Sequence, residues 1–541
     1  MLSSAEVISL LTTRYSAKAR SVHLQQGVTI MPASKIALAP QKLGKLIYLD
    51  KSCPIGLALK RTTDSPTPLN STEVLNEIKW RSYFGLIDVY QSLAGTSLAS
   101  YPQPNPYDAL REMKRAQWMK GQVLNERVLK KVRCILDHAY RHVPYYRRLY
   151  KSLGLDPDQL SNLDDFGRFP VVTKEDMRGA GDQALADNLD RSRLFAHATS
   201  GSTGNPFKFH LDFHWRRLAS KWLLDSYLGA RPQTRYFRIT DLNSPEPQPS
   251  SDCGTNKTLT RRLQALLKLV DPEQHPFEIL YSDIAQELPE VAARLRKFNP
   301  KYGAGTPTKL MIFSEVLSRQ HVEMPKLQAL ISGAETLLET ERKRFEERFD
   351  APVFSRYGSR EFYGAVAGEC EYHVGLHVNL DLVLVEIVKD NGEPCSYGET
   401  GNIVITDYYN RSMPFVRYKT GDTGSLEAGC NCGRGFPMLG NLIGRTSEWV
   451  LNKDNRKIPL LSICRHGEVL GGQVRSFQFR QTAPGRLTMY LVPEPGWNES
   501  ILKERMSWIG SVNGIELDYE VVEQVRSTPS GKRTLILPAS P

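Results

Sequence analysis

The chain has 541 residues, more than one hydrophobic core organises, so at least two domains are expected. Apolar residues at 40%, charged residues at 24% and a mean hydropathy of -0.38 fit a soluble globular protein, and the absence of a run of about eighteen apolar residues predicts no membrane span. The net charge of +11 comes from basic residues spread along the chain, which argues against a nucleic-acid partner and suits small polyanions such as nucleotides.

Residues 1–75 have weak periodicity and several turn signals, and read as an N-terminal extension without an assignable role. Arg14, Lys18 and Arg20 against Glu6 give its start a faint transit-peptide composition, but without an amphipathic period. The Pro-rich YPQPNPYD (101–108) leads into a helix whose apolar face runs through Leu124, Val128, Val132, Ile135 and Ala139, with Lys130, Lys131 and Arg133 on the same helix read as a solvated face. Pro144 is expected to end that helix, and TKED (173–176) to open another with a capping box.

In HATSGSTGNPFKFH (197–210) two glycines stand among hydroxyl side chains, and then Phe207, Phe209, Leu211 and Phe213 fall at period two. That is a loop feeding a strand buried on one face. Residues 241–258, rich in Pro, Ser and Asn, read as an exposed loop. From about residue 300, LQALISG, a charged helix from Leu338 to Phe349 and APVFSRYG alternate as in an α/β layered domain. LVLVEIV (382–388), the Asn391-Gly392 turn and GNIVIT (401–406) read as an antiparallel hairpin region. A boundary near GRTSE (444–448) divides a large α/β domain, residues 76–443, from a small α+β lid, residues 444–541.

Several short segments could carry chemistry. Backbone N–H groups of the glycine-rich turn Thr199, Ser200, Gly201, Ser202, Thr203, Gly204 can converge on phosphate oxygens. It is no Walker A loop, because a strand follows where that motif needs a helix. In SRYGSRE (355–361) Tyr357 could cover a base and Glu361 could give an oxygen ligand to Mg2+. Asp422 in RYKTGD (417–422) could accept from a ribose diol, and Lys532 in PSGKR (529–533) could neutralise a carboxylate attacking a phosphate. Each in isolation also reads as an ordinary turn or a solvated charge.

Their order decides between these readings. TSGSTGNP, SGAE (332–335), YGSRE, YKTGD, GRTSE and SGK, in that sequence, resemble the adenylate-forming superfamily of acyl-CoA synthetases, luciferases and peptide-synthetase adenylation domains. HAYRHVPYYRRLYKSLGL, LDDFGRFPVVTKEDM and CGRGFP resemble its phenylacetate-CoA ligase and CapK branch, over roughly residues 80–541. The resemblance implies a multi-layered adenylation domain with a C-terminal lid. It implies that Thr199 to Gly204 hold the β- and γ-phosphates of ATP, that Gly333, Ala334 and Glu335 line the adenine side, and that Tyr357, followed by Gly358, stacks on the base. Glu361 would bind Mg2+, Asp422 the ribose hydroxyls with Arg445 nearby, and Lys532 would stabilise the transition state. Two positions depart from the pattern: the hinge residue is Glu448 rather than aspartate, and Asn205 precedes Pro206 with the lysine displaced to Lys208.

The implied reaction converts a small carboxylic acid and ATP into an acyl-adenylate and pyrophosphate, and passes the acyl group to a thiol, with coenzyme A the default. A carrier protein or an amine as acceptor, a homodimer, and a nucleotide-binding scaffold without catalysis stay open. YGAGTP (302–307) is expected to border the acyl pocket.

The eight cysteines, scattered and without a secretory signal, point to the cytoplasm. Cys430 and Cys432 in one Gly-rich knuckle, with Cys370 and His377 in CEYHVGLH, could complete a tetrahedral structural Zn2+ site, His373 being the substitute ligand. Unlinked buried thiols are the alternative.

Overall fold

The amphipathic face predicted in the first half of the chain is realised in α2 (Gly121–His142), preceded by α1 (Pro106–Ala116). Leu124, Val128, Val132, Ile135 and Ala139 are all buried, the larger of them contributing roughly 1.5–3 kcal/mol each. The computed structural model describes residues 106–189, 195–198, 207–211, 215–232, 234–240, 248–249, 277–280, 288–362, 364, 366–445, 449–460, 463, 470, 473–526 and 535–537. The N-terminal extension, the loop Thr199 to Gly204, Phe213, the hinge residue Glu448 and Lys532 lie outside the described residues, as does the side chain of Arg445. The described residues fall within one compact unit, Leu98–Gly254 with Glu273–Pro541.

Pro144 does two things. α2 stops at His142, Val143 is extended (φ -112, ψ 110), and Pro144 then takes the first position of α3 (Pro144–Ser152), where its missing N–H is no loss. After the short α4 (Leu163–Phe166), Thr173 caps α5 (Lys174–Ala180). Its hydroxyl accepts from the Asp176 N–H at 3.2 Å, and the Asp176 carboxylate accepts from the Thr173 N–H at 2.8 Å, the expected capping box. β1 (Phe195–Ala198) and β2 (Lys208–Leu211) pair antiparallel on either side of the glycine-rich segment, with Phe207, Phe209 and Leu211 buried and Lys208 exposed.

α6 (Trp215–Ser226) leads to β3 (Tyr236–Thr240). Within the segment read as a loop, β4 (Gln248–Pro249) pairs with β1. Then follow β5 (Phe277–Leu280), α7 (Leu288–Phe298), β6 (Tyr302–Gly305), α8 (Pro307–Arg319), β7 (Ala329–Gly333), α9 (Glu339–Phe349) and β8 (Val353–Tyr357). After them come β9 (Ala367–Glu369), β10 (Leu376–Val378), β11 (Val383–Val388), β12 (Gly401–Asp407), β13 (Tyr418–Glu427) and β14 (Met438–Arg445). β3 and β5 to β14 form one eleven-stranded sheet in the order β11-β12-β13-β14-β10-β9-β8-β7-β6-β3-β5. Strands β5, β3, β6, β7 and β8 are parallel, as the βα alternation demands, and β9 onward pairs antiparallel, including the β11–β12 hairpin expected from sequence. Phe237, Ile279, Val291, Leu295, Leu310, Phe313, Leu330, Phe345 and Val353 share one buried cluster, which packs α7, α8 and α9 on the sheet.

Helices α2 and α6 are tied to the sheet through Asp381, between β10 and β11. Its wholly buried carboxylate receives Arg127 Nε at 2.8 Å, Arg216 Nη1 at 3.0 Å and the Lys131 ammonium, which also donates to the Asp381 carbonyl at 2.7 Å.

Beyond β14 the chain builds a smaller layer: the hairpin β15 (Trp449–Leu451) and β16 (Lys457–Pro459), β17 (Val474–Ala483), β18 (Arg486–Pro493), α10 (Glu499–Asn513), β19 (Glu516–Val521) and β20 (Ile536–Leu537). The last four strands form a sheet in the order β19-β18-β17-β20 over a cluster that includes Val450, Phe479, Met489, Leu502 and Ile509. The boundary expected at 443/444 falls inside β14, before its last two residues, and both sides of it belong to one compact unit. No helix among the described residues is long and apolar enough to cross a membrane.

Candidate active site

Ligands of parallel sheets gather beyond the carboxyl ends of the strands, where loops and unpaired backbone groups are free to meet them. SGAE continues from the end of β7 and YGSRE from the end of β8, and these strands are hydrogen-bonded neighbours with Gly333 paired to Arg356. The two segments are thereby brought side by side. Ala334 holds a left-handed backbone, φ 65, in which a side chain is rare. Gly358 is required for a different reason: a Cβ there would lie 2.2 Å from the Gly364 carbonyl oxygen, so only glycine lets the two backbones touch.

Tyr357 Oη donates to Asp422 Oδ2 at 2.7 Å, which joins the YGSRE and YKTGD motifs. Burial first, and then the Asp422 charge, push the Tyr357 phenol well above its ordinary value, so it stays protonated and donates. Gly421 (φ 85) turns the chain beside Asp422, whose N–H donates to Thr420 Oγ1 at 3.1 Å. The β13–β14 register sets Asp422 opposite Arg445. Glu361, buried in the single turn Arg360–Phe362, accepts from Tyr418 Oη at 3.5 Å. Burial, and then Glu361, raise the Tyr418 phenol too.

Glu335 is held by the helix that follows β6. One carboxylate oxygen accepts from Thr308 Oγ1 at 2.6 Å and from the Thr308 N–H at 3.3 Å, so it closes the N-terminus of α8, where a negative charge is favoured. Its other oxygen, Oε1, is buried without a hydrogen-bond partner among the described residues, as are Ser332 Oγ and Ser359 Oγ. An unmade buried hydrogen bond costs about 1–3 kcal/mol, so three such atoms at the ends of two neighbouring strands mark a place built for a polar ligand. Thr308, Ser332, Tyr418 and Ser359 were not singled out from sequence, although three of them stand inside motifs or segments that were.

A second constellation sits on β10 and the knuckle before β14. The ligand atoms of Cys370, His377, Cys430 and Cys432 all lie within 4.8 Å of one another, with Cys370 Sγ 3.6 Å from Cys430 Sγ and Cys432 Sγ 3.3 Å from His377 Nε2. His377 Nδ1 donates to the Phe436 carbonyl at 3.3 Å, which turns the Nε2 lone pair toward the sulfurs. The donor set and its outer hydrogen bond fit a tetrahedral Zn2+. His373, the expected substitute, is excluded from this cluster. It occupies a left-handed turn (φ 52), and its Nδ1 meets Glu369 Oε2 at 3.1 Å.

No family model matches the chain. It is 29% identical over 348 residues to the phenylacetate-coenzyme A ligase of Thermus thermophilus, covering 61% of this chain and 72% of that one. Protein CapK of Staphylococcus aureus is 20% identical over 405 residues, covering 73% and 85%. Among solved structures, 2-hydroxyisobutyryl-CoA ligase in the postadenylation state with 2-HIB-AMP superposes with a TM-score of 0.65 at 20% identity, covering 78% of this chain and 91% of the other. The same ligase with 2-HIB-AMP and CoA in the thioesterification state, at the same coverage, scores 0.53. A mixed sheet with its motifs at the strand ends and a small C-terminal layer is the fold of adenylate-forming ligases. In sequence the chain is similar to phenylacetate-CoA ligases and to CapK, and in fold to 2-hydroxyisobutyryl-CoA ligase.

Proposed function

We propose that this protein activates a small carboxylic acid with ATP as an acyl-adenylate, releasing pyrophosphate, and transfers the acyl group to coenzyme A. A carboxylate is a poor electrophile, and joining it to AMP turns its oxygen into a good leaving group for the thiolate. Two anions must first meet, so opposing charge is the central requirement. The single observation that carries this reading is the meeting of Tyr357 and Asp422 at 2.7 Å, with Glu335 Oε1, Ser332 Oγ and Ser359 Oγ, in the segments at the ends of β7 and β8, buried without a hydrogen-bond partner among the described residues.

In this reading adenine lies between Tyr357 and the Gly333, Ala334 and Glu335 segment, and Asp422 receives the ribose hydroxyls with Arg445 beside it. Thr199 to Gly204 hold the β- and γ-phosphates, and Lys532 offsets the charge that develops as the carboxylate attacks. Glu361 is the residue that would hold Mg2+, a buried oxygen donor on a turn fixed by Gly358. When bound, Mg2+ neutralises phosphate oxygens and favours pyrophosphate as leaving group. Cys370, His377, Cys430 and Cys432 would hold a structural Zn2+ that staples β10 to the knuckle. The free cysteines and a thiol acceptor suit the cytoplasm.

The test is ATP–pyrophosphate exchange across a panel of aryl, alkyl and hydroxy acids, followed by product analysis with coenzyme A, a carrier-protein thiol and simple amines. Acid-dependent exchange and an acyl-CoA product are expected. Exchange with no acid would refute adenylation; exchange followed by an amide, or by a product only on a carrier protein, would replace the acceptor.

A further inference from the structure

One face of the parallel half of the sheet carries an ion cluster that the reaction proposed above does not use. Asp225, buried near the end of α6, accepts from Lys221 Nζ at 2.7 Å and from Arg356 Nη2 at 2.6 Å, and Tyr302 Oη stands 3.5 Å from the same carboxylate. Lys221 also lies 4.5 Å from the centre of the Tyr236 ring, which is stacked on Tyr302 at 4.9 Å. Burial works against the Asp225 charge, but the Lys221 and Arg356 charges together outweigh it and hold the carboxyl below its ordinary value. The cluster therefore sets two cations against one anion.

The surplus charge lies beside the segments assigned to the nucleotide. Arg356 comes two residues after Phe354 on β8, so it faces the side of the sheet on which Phe354, Ile331, Tyr302 and Ala304 pack together. It is paired with Gly333 of SGAE and directly precedes Tyr357. Among the described residues, a Cβ on Gly333 would meet only Arg356, its carbonyl oxygen at 3.3 Å and its Cβ at 3.6 Å, so the floor next to the guanidinium is open. Ala304, the small residue of YGAGTP paired with Ile331, continues that floor on β6, in the segment expected to border the acyl group. Of the Arg356 donors only Nη2 is committed. Nε and Nη1 make no hydrogen bond among the described residues, although the side chain is only 14% exposed.

Resting on the adenylation proposed above, we propose that the acid extends over Gly333 on the α6 side of the sheet, and that Arg356, held by Asp225 and accompanied by Lys221, selects a dicarboxylic acid. One carboxylate is activated at the nucleotide, and the other stays ionised and accepts from the uncommitted N–H groups of Arg356. A partly buried surplus cation is costly until an anion joins it, and a planar guanidinium presents donors at the spacing of a carboxylate. A hydroxyl or keto oxygen would occupy the donors but leave the surplus charge in place. Asp225 is the positioning residue, fixing the guanidinium without touching the acid.

Matched acids test this in ATP–pyrophosphate exchange with the full-length protein: succinate to adipate against butyrate to hexanoate, terephthalate against para-toluate, and terminal hydroxy acids of the same lengths. Wild type is expected to favour the diacid of the best-accepted pair by about 10- to 100-fold in kcat/KM, the scale of a hydrogen bond to a charged group. Arg356→Met should bring that ratio near one, Arg356→Lys should keep part of it, and Lys221→Met should lower it several-fold. A loss of activity common to both acids cancels in the ratio. Melting temperatures show whether each variant folds, and Arg356→Met with Asp225→Asn, which removes both partners of the buried pair, gives the ratio where Arg356→Met alone does not fold. A wild-type preference for the monoacid or the hydroxy acid, or a diacid preference that survives Arg356→Met, would overturn the proposal while adenylation stands. Exchange with no acid would refute adenylation instead. Calorimetric titration of adipate and hexanoate in the presence of a non-reactive ATP analogue then decides: Arg356-dependent binding of adipate would support the assignment, and equal binding of the two, or none, would overturn it.

Discussion

Tyr357 Oη and Asp422 Oδ2 are 2.7 Å apart, so the residue assigned to the base and the residue assigned to the ribose hold each other in place. Asp422→Ala removes the ribose acceptor and leaves a buried phenol without its charged partner. A hydrogen bond to a charged group is worth about 1.5–3 kcal/mol, so KM for ATP should rise by about 10- to 100-fold. Tyr357→Phe keeps the ring and should raise it by less than about tenfold. Steady-state exchange kinetics measure both, and equal effects of the two changes would contradict separate roles.

Lys532 is assigned to opposing charge, and Glu361 to holding the Mg2+ that would supply it. Glu361→Gln and Lys532→Ala are each expected to slow exchange by about 10²- to 10³-fold. ATP affinity, read by calorimetry with a non-reactive analogue, should be nearly retained for Lys532→Ala. Parallel loss of affinity and rate would reassign the lysine.

Gly358→Ala tests the turn that carries Glu361. The new methyl would meet the Gly364 oxygen at 2.2 Å and its carbonyl carbon at 2.4 Å, and backbone cannot rotate away as a side chain can. Exchange activity should fall steeply and the melting temperature by several degrees; a fully active, equally stable variant would mean the two backbones are further apart in solution.

Metal analysis should find close to one zinc per chain, and Cys430→Ser with Cys432→Ser should abolish it. Because a structural zinc would add four ligand bonds between the turn after β9, β10 and the knuckle before β14, chelation should lower the melting temperature. A chain purified without zinc that neither binds added zinc nor gains stability from it would assign the cluster to plain buried thiols.

His138 predicts a pH dependence of stability. Burial first, and also the Arg411 and His142 charges, hold its imidazole below the usual value, against the pull of the hydrogen bond it donates to the Arg411 carbonyl at 2.9 Å. The unfolded chain thus takes up this proton more readily than the fold does. The stabilisation is fully present above about pH 6.5 and is lost as pH falls toward the depressed folded value. His138→Gln should flatten the denaturation midpoint between pH 7 and pH 5, and an unaltered slope would exclude His138 as a source.

The sequence carried the order of the motifs and the strands that feed them. SGAE and YGSRE follow apolar runs, and apolar runs followed by glycine turns read as strand ends. It did not carry the Tyr357–Asp422 bond, because β8 and β13 are not neighbours in the sheet, with β14, β10 and β9 between them, and their meeting depends on the long-range course of the antiparallel half, which has no local signature. Two histidines of the same loop were separated only by structure: His377 lies in β10 and turns inward, whereas His373 sits in a left-handed turn and meets Glu369. Leu338 looked like the first residue of a charged helix, and no periodicity in α9 reports that its partners come from β17, β18 and α10.

Asp381 gives α2 and α6 an unusual dependence on one carboxylate. Burial pushes the Lys131 ammonium down to about 8 against the pull of Asp381, with Arg127 and Arg216 crowding the same charge. Removing the carboxylate would strand three cations at once, so neutralising Asp381 should be far worse than neutralising any one of its donors, and losses measured one donor at a time should not sum to it. The ionic part of the attachment of α2 and α6 is thereby concentrated on a single anion, set beside the apolar face that α2 buries, and a sequence drifting under mutation could lose any one bolt long before it could lose the plate.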